Sequence, residues 1–81
     1  MIRTQHRIDH TKQFNAKMVR LGKRVRVLRK KQGMTLGAVA DRVGCSFQRV
    51  SDIERGEAPS LATYLNLCEV LNKGKSLLGD C

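Results

Sequence analysis

Acid is scarce in this sequence where its charge is concentrated. Residues 1–31 carry one acidic side chain, Asp9, among eleven lysines and arginines, whereas residues 32–81 hold five bases and six acids. The whole excess of the +9 formal charge therefore lies in the first two-fifths of the chain. A solvated helix face usually mixes signs. A block this one-sided points to an anionic partner, with nucleic acid first and a membrane surface second.

Other absences narrow the class further. No Gly-rich phosphate loop, nucleophile elbow or pair of carboxylates occurs, so an enzyme is not expected, and neither is a cofactor. His6 and His10 stand four apart, but with no Cys or further His nearby the ligand count is too low for zinc, and no metal is expected. The three cysteines, Cys45, Cys68 and Cys81, are an odd number without paired spacing. No signal-peptide pattern and no apolar run of membrane-spanning length is present. The expectation is a reduced, cytoplasmic protein with ordinary thiols and no membrane association. Cys68 is expected in the core and Cys81 at a frayed end. Eighty-one residues make one domain near the lower limit for a self-sufficient core, a size often stabilised by a second copy.

No segment alternates with period two over a strand's length, and there is no internal repeat; the chain reads as all-helical. Residues 1–13 read as a basic arm or helix extension and residues 14–81 as the domain proper. Phe14, Met18, Leu21, Val25 and Leu28 recur in steps of four and three, one stripe of a helix over about 14–32. Gly22 weakens its middle by about 1 kcal/mol relative to Ala, so a break near residue 20 is expected. Gly33 ends the helix behind Arg29, Lys30 and Lys31, which suit the negative end of its dipole. Thr35 caps a helix over 36–43 that turns Leu36, Val39, Ala40 and Val43 inward. Gly44 stops it after two turns, and Ser46 caps a helix over 46–55 with Val50 and Ile53 as its apolar positions. Gly56 closes that helix. Ser60 opens a helix over 60–72, with Leu61, Leu65, Cys68 and Leu71 on one stripe and Tyr64 and Leu67 beside it. Ser76 starts a short turn over 76–79. The sum is a compact bundle of four to five helices.

Two short helices around one Gly-centred turn are the spacing of a helix-turn-helix. The runs "LGKRVRVLRKKQGMT", "AVADRVGCSFQRVSDIERG" and "PSLATYLNLCEVL" resemble the DNA-binding domain of phage Cro and repressor proteins, the XRE or lambda-repressor-like type, over residues 21–72. The resemblance implies that "SFQRVSD" is a recognition helix lying in the major groove of double-stranded DNA. It leaves Phe47, Gln48, Arg49, Ser51 and Asp52 as candidates to contact bases. Gln suits adenine, Arg guanine, a phenyl ring the thymine methyl, and Asp cytosine. Arg49 reaches either a base or a phosphate, and Phe47 either DNA or the preceding helix. Asp52 beside phosphate is a liability unless it reads a base or holds Arg49.

The same resemblance pairs Arg29 with Glu54 as a structural brace. It places Thr35, Ser46, Arg55, Lys17, Arg20, Lys23 and Arg24, with Arg3, Arg7 and Lys12 of the arm, near the DNA backbone. The chain departs from the family at Leu36, where Gln is common, and at Gly37, where Glu is usual. Beyond Leu71 the run "NKGKSLLGDC" replaces the family's fifth helix, which leaves Leu77 and Leu78 as the candidate dimer contacts. A palindrome-binding homodimeric repressor leads. An antitoxin that autoregulates its operon and binds a toxin protein through Phe14 and Met18 is the alternative. A sequence-indifferent binder of nucleic acid or anionic membrane, suggested by the basic arm alone, comes third.

Overall fold

The structure, a computed structural model, describes the backbone of residues 2–78 and the side chains of residues 12–78. Four helices follow in order: α1 (Ile2–Lys31), α2 (Leu36–Val43), α3 (Phe47–Glu54) and α4 (Leu61–Asn72). No strand occurs among the described residues, and the fold is all-helical.

α1 runs unbroken through Gly22, where the sequence suggested an interruption, and its backbone continues N-terminally through residues 2–13. Gly22 has a different purpose. A Cβ there would collide with the carbonyl oxygen of Ile53 and lie 2.8 Å from that of Glu54. Glycine lets the end of α3 press against the backbone of α1, and the packing gained outweighs the loss of helix propensity. α1 stops at Gly33, which takes the left-handed conformation at φ 71°. Its N–H donates to Lys30 O at 3.0 Å, and the N–H of Met34 donates to Arg29 O at 3.0 Å, a Schellman closure.

The core gathers Leu21 and Val25 from α1, Val39, Ala40 and Val43 from α2, and Val50 and Ile53 from α3. Leu67, Cys68 and Leu71 come from α4. The α4 stripe expected from periodicity is rotated. Leu61 is 73% exposed and Leu65 is also exposed, while Leu67, Cys68 and Leu71 face inward with Tyr64 half-buried beside them. Apolar residues cover most of this helix's circumference, so the spacing offered two stripes that share Cys68 and Leu71. Packing against α1 and α2 selects one of them.

The chain after α4 is not helical through residue 78. Lys73 and Gly74 adopt positive φ, and the Asn72 side-chain amide donates to the carbonyls of Lys75 (3.2 Å) and Ser76 (3.0 Å). This reversal drops Leu77 into the core. One buried leucine thus closes the bottom of the bundle. The turn expected over 76–79 extends past the described residues.

Candidate nucleic-acid interface

The α2–turn–α3 unit is built from its caps. Thr35 Oγ1 accepts from Ala38 N at 3.0 Å and Ser46 Oγ from Arg49 N at 3.1 Å, each satisfying a donor that the first turn of a helix leaves open. Between the helices Gly44 sits at φ 89°, a conformation costly for any residue with a Cβ. There the N–H groups of Gly44 and Cys45 both donate to Ala40 O, at 2.7 and 3.0 Å. That tight reversal sets α3 at a fixed angle to α2. Val50 and Ile53 then bury completely, and the rest of α3 is turned outward.

What faces out differs in kind from residue to residue. Phe47 is 60% exposed and does not join the core. Gln48 is exposed and donates its amide to Asp52 Oδ1 at 3.0 Å. Arg55 Nη2 donates to the same oxygen at 3.1 Å. Ser51 and Asp52 are partly exposed beside them. Arg49 turns away from this group. Its Nη2 donates to Ala58 O at 2.7 Å and its Nη1 lies 3.7 Å from Glu57 Oε1. Of the five base-reading candidates, the structure brings Phe47, Gln48, Ser51 and Asp52 to one surface and gives Arg49 to the loop leading into α4. Asp52 therefore holds Gln48 and Arg55, not Arg49.

Arg29 and Glu54 meet as a fork. Nε donates to Oε2 at 2.6 Å and Nη2 to Oε1 at 3.2 Å, while Nη1 donates to Met34 O at 3.0 Å. One guanidinium thus ties α1, the α1–α2 turn and the end of α3 together. The side chains are 11% and 7% exposed, so little water competes for them. The hydrogen bond to Glu54, aided by its charge and opposed by burial, raises the Arg29 pKa above its ordinary value. Two amides that sequence reasoning passed over make similar ties. Gln32 Nε2 donates to Leu71 O at 2.9 Å and Asn66 Nδ2 to Val43 O at 3.2 Å. Neither had a signal in the sequence, because each partner is a backbone carbonyl more than twenty residues away.

The cations of α1 do not form one strip. Lys12, Lys17, Arg20, Lys23 and Arg24 are exposed, and none takes part in the three ion pairs among the described residues. α1 meets α3 at Gly22. At about 100° per residue, Arg20 and Arg24 point about 160° away from that contact. Arg26, four residues after Gly22 and exposed, lies only about 40° from it. Nothing in the sequence marks Arg26 apart from the other cations of the basic block. The side chains of Arg3, Arg7, His6 and His10 lie outside the described residues, as does Cys81. Cys45 is half-buried and Cys68 buried, both as free thiols. Among the described residues no group of three potential metal ligands occurs, and no helix is long and apolar enough to cross a membrane.

On another side of the body, Phe14, Met18 and Leu21 of α1 face Ala58, Pro59, Leu61, Tyr64 and Leu78 across an open apolar groove of about 250 Å³. Phe14 is 51% exposed at its edge, whereas Met18 is buried within the protomer. Leu77, weighed as a dimer contact, belongs to the protomer's own core, and Leu78 alone of that pair reaches the surface.

Comparison with known protein families matches residues 20–78 to the helix-turn-helix domain. The chain belongs to that family. The matched span includes both caps, the Gly44 turn and the Arg29–Glu54 fork, so this helix-turn-helix domain extends well beyond the two helices that give it its name. Neither the comparison with curated proteins nor that with solved structures returned a match.

Proposed function

We propose that the protein is a sequence-specific transcriptional regulator of the XRE, Cro/repressor type. It binds double-stranded DNA in the cytoplasm as a homodimer and represses by occupying a palindromic operator. The observation that carries this reading is the division of α3. Val50 and Ile53 are fully buried, while Phe47 and Gln48 are exposed at the helix's N-terminal end. A helix about 10–12 Å across fits a major groove about 12 Å wide. Seated that way, its first residues meet base edges. Thr35, Ser46 and Arg55 then flank the groove, where hydroxyls, open backbone N–H groups and a cation suit phosphates. No residue is assigned a catalytic role.

One eight-residue helix reads few base pairs, which is why a dimer is proposed. Residues 57–72 contain Glu57 and Glu69 and no Lys or Arg. They supply one wall of the apolar groove and add no positive charge to it, and Leu61 and Phe14 are exposed at its rim, which suits a second copy of this chain. Two recognition helices should enter successive major grooves about 34–36 Å apart. Selection of bound sites from random duplex DNA tests this. A two-fold symmetric motif with half-sites about one turn apart is the expected result. A single asymmetric half-site removes the dimer, and no motif removes the function.

The exposed ring of Phe14 favours one second reading, an antitoxin that regulates its own operon and docks a toxin protein at this groove. Met18 lines the same groove but is largely buried, so Phe14 carries most of the exposed surface there. A small protein that co-purifies with the parent and is lost on Phe14→Ala favours the antitoxin. A parent that binds its operator and carries no such protein favours the repressor.

A further inference from the structure

A carboxylate on a DNA-facing helix is repelled by every phosphate it approaches, so Asp52 calls for a reason. Its Oδ1 accepts two hydrogen bonds, from Gln48 Nε2 at 3.0 Å and from Arg55 Nη2 at 3.1 Å. Gln48 lies one turn before it, so the two side chains share one exposed face of α3. Arg55 offsets the charge locally. We propose that Asp52 is a positioning residue that fixes the Gln48 amide and so makes Gln48 select adenine over guanine. The inference rests on the DNA-binding reading above.

The chemistry runs through one asymmetry. A carboxylate can only accept, so the group Gln48 turns toward Asp52 must be its NH2 and not its oxygen. The amide is thereby held in one of its two orientations. Oε1 is left facing away from Asp52, with the second N–H beside it. That pair, one acceptor and one donor, complements adenine, which offers the N6 amino donor and the N7 acceptor in the major groove. Guanine offers acceptors at both O6 and N7, so the fixed Oε1 would face O6 with no proton between them. A glutamine free to rotate turns its NH2 to guanine instead. Asp52 thus supplies discrimination, where an unconstrained glutamine would accept either purine.

The test compares the parent, Asp52→Ala and Gln48→Ala, each as the full chain, in selection from random duplex DNA. The parent should enrich adenine at one position of each half-site. Asp52→Ala should admit guanine there, with the adenine-to-guanine ratio falling about tenfold. Gln48→Ala should lose the purine preference altogether. A role in charge alone would leave this ratio unmoved, because removing a negative charge raises affinity for all duplexes alike. In the free protein, the side-chain amide resonances of Gln48 should move in Asp52→Ala while backbone resonances away from α3 and the adjoining Arg55 stay in place. Retained adenine preference in Asp52→Ala, or unmoved Gln48 amide resonances, overturns the proposal and leaves the DNA-binding reading standing. A parent that selects no motif overturns both.

Discussion

The two faces of α3 divide its eight residues between them and follow different rules. The inner face, Val50, Ile53 and Glu54, is fixed by the rest of the domain: two side chains in the core and one carboxylate forked onto Arg29. The outer face, Phe47, Gln48 and Asp52, touches no other helix through its hydrogen bonds and is ordered from within by Asp52. On the function proposed above, the inner face sets where the helix is and the outer face sets what it reads. Substitutions on the two faces should change different observables, and that separation can be broken.

The largest effect is expected on the inner side. Glu54→Ala leaves the Arg29 guanidinium nearly enclosed with one backbone carbonyl as its partner. It should cost roughly 3 kcal/mol of stability and lower the melting temperature by more than about 10 °C, with DNA affinity falling only as a consequence. Gly22→Ala comes next. Its added methyl meets backbone carbonyls that cannot yield as a side chain would, so thermal unfolding should show a loss of about 1–3 kcal/mol. A melting temperature equal to the parent's in either variant would contradict the rigid seat assigned to α3.

The outer side should behave in the opposite way. Gln48→Ala is expected to lose about 1–3 kcal/mol of binding per half-site, relax one base pair and leave the melting temperature almost unchanged. If it binds every operator variant as the parent does, the outer face is not the reader. Arg49→Ala tests the boundary between the faces. Its loss removes the bond to Ala58 O, so it should lower stability by about 1 kcal/mol and leave base preference intact. A changed base preference would return Arg49 to the reading surface.

Smallest are the phosphate contacts. Each neutralised phosphate contributes about −0.9 to the slope of log affinity against log salt. Arg26→Ala should make that slope shallower by more than Arg20→Ala does, since Arg26 lies on the α3 side of α1. Deleting residues 1–12 should weaken binding to all sequences alike and flatten the slope, with base preference kept. Titration of affinity against salt for the three variants decides both points.

Much of the frame was readable because it depends on neighbours in sequence. Thr35, Ser46, Gly33 and Gly44 punctuate the chain by local rules, and Val50 with Ile53 marks the inner face of α3 by spacing alone. Features that depend on residues distant in sequence were not readable. Gly22 looked like a weak point because nothing in its own helix shows that Ile53 and Glu54 press against it. α4 carries too many apolar residues for periodicity to choose a face. The direction of Arg49 depends on a carbonyl in the following loop, which no residue type announces. The Arg29–Glu54 fork follows from the family resemblance and not from spacing, since 25 residues separate the partners.

The most direct measurement is competition. The duplex selected by the parent is bound in the presence of excess scrambled duplex at fixed salt, first with the parent and then with Gln48→Ala. The account predicts that the parent prefers its own duplex by about 10³-fold or more, and that Gln48→Ala loses a large part of that ratio while still binding both duplexes. Equal affinity of the parent for selected and scrambled DNA would contradict it.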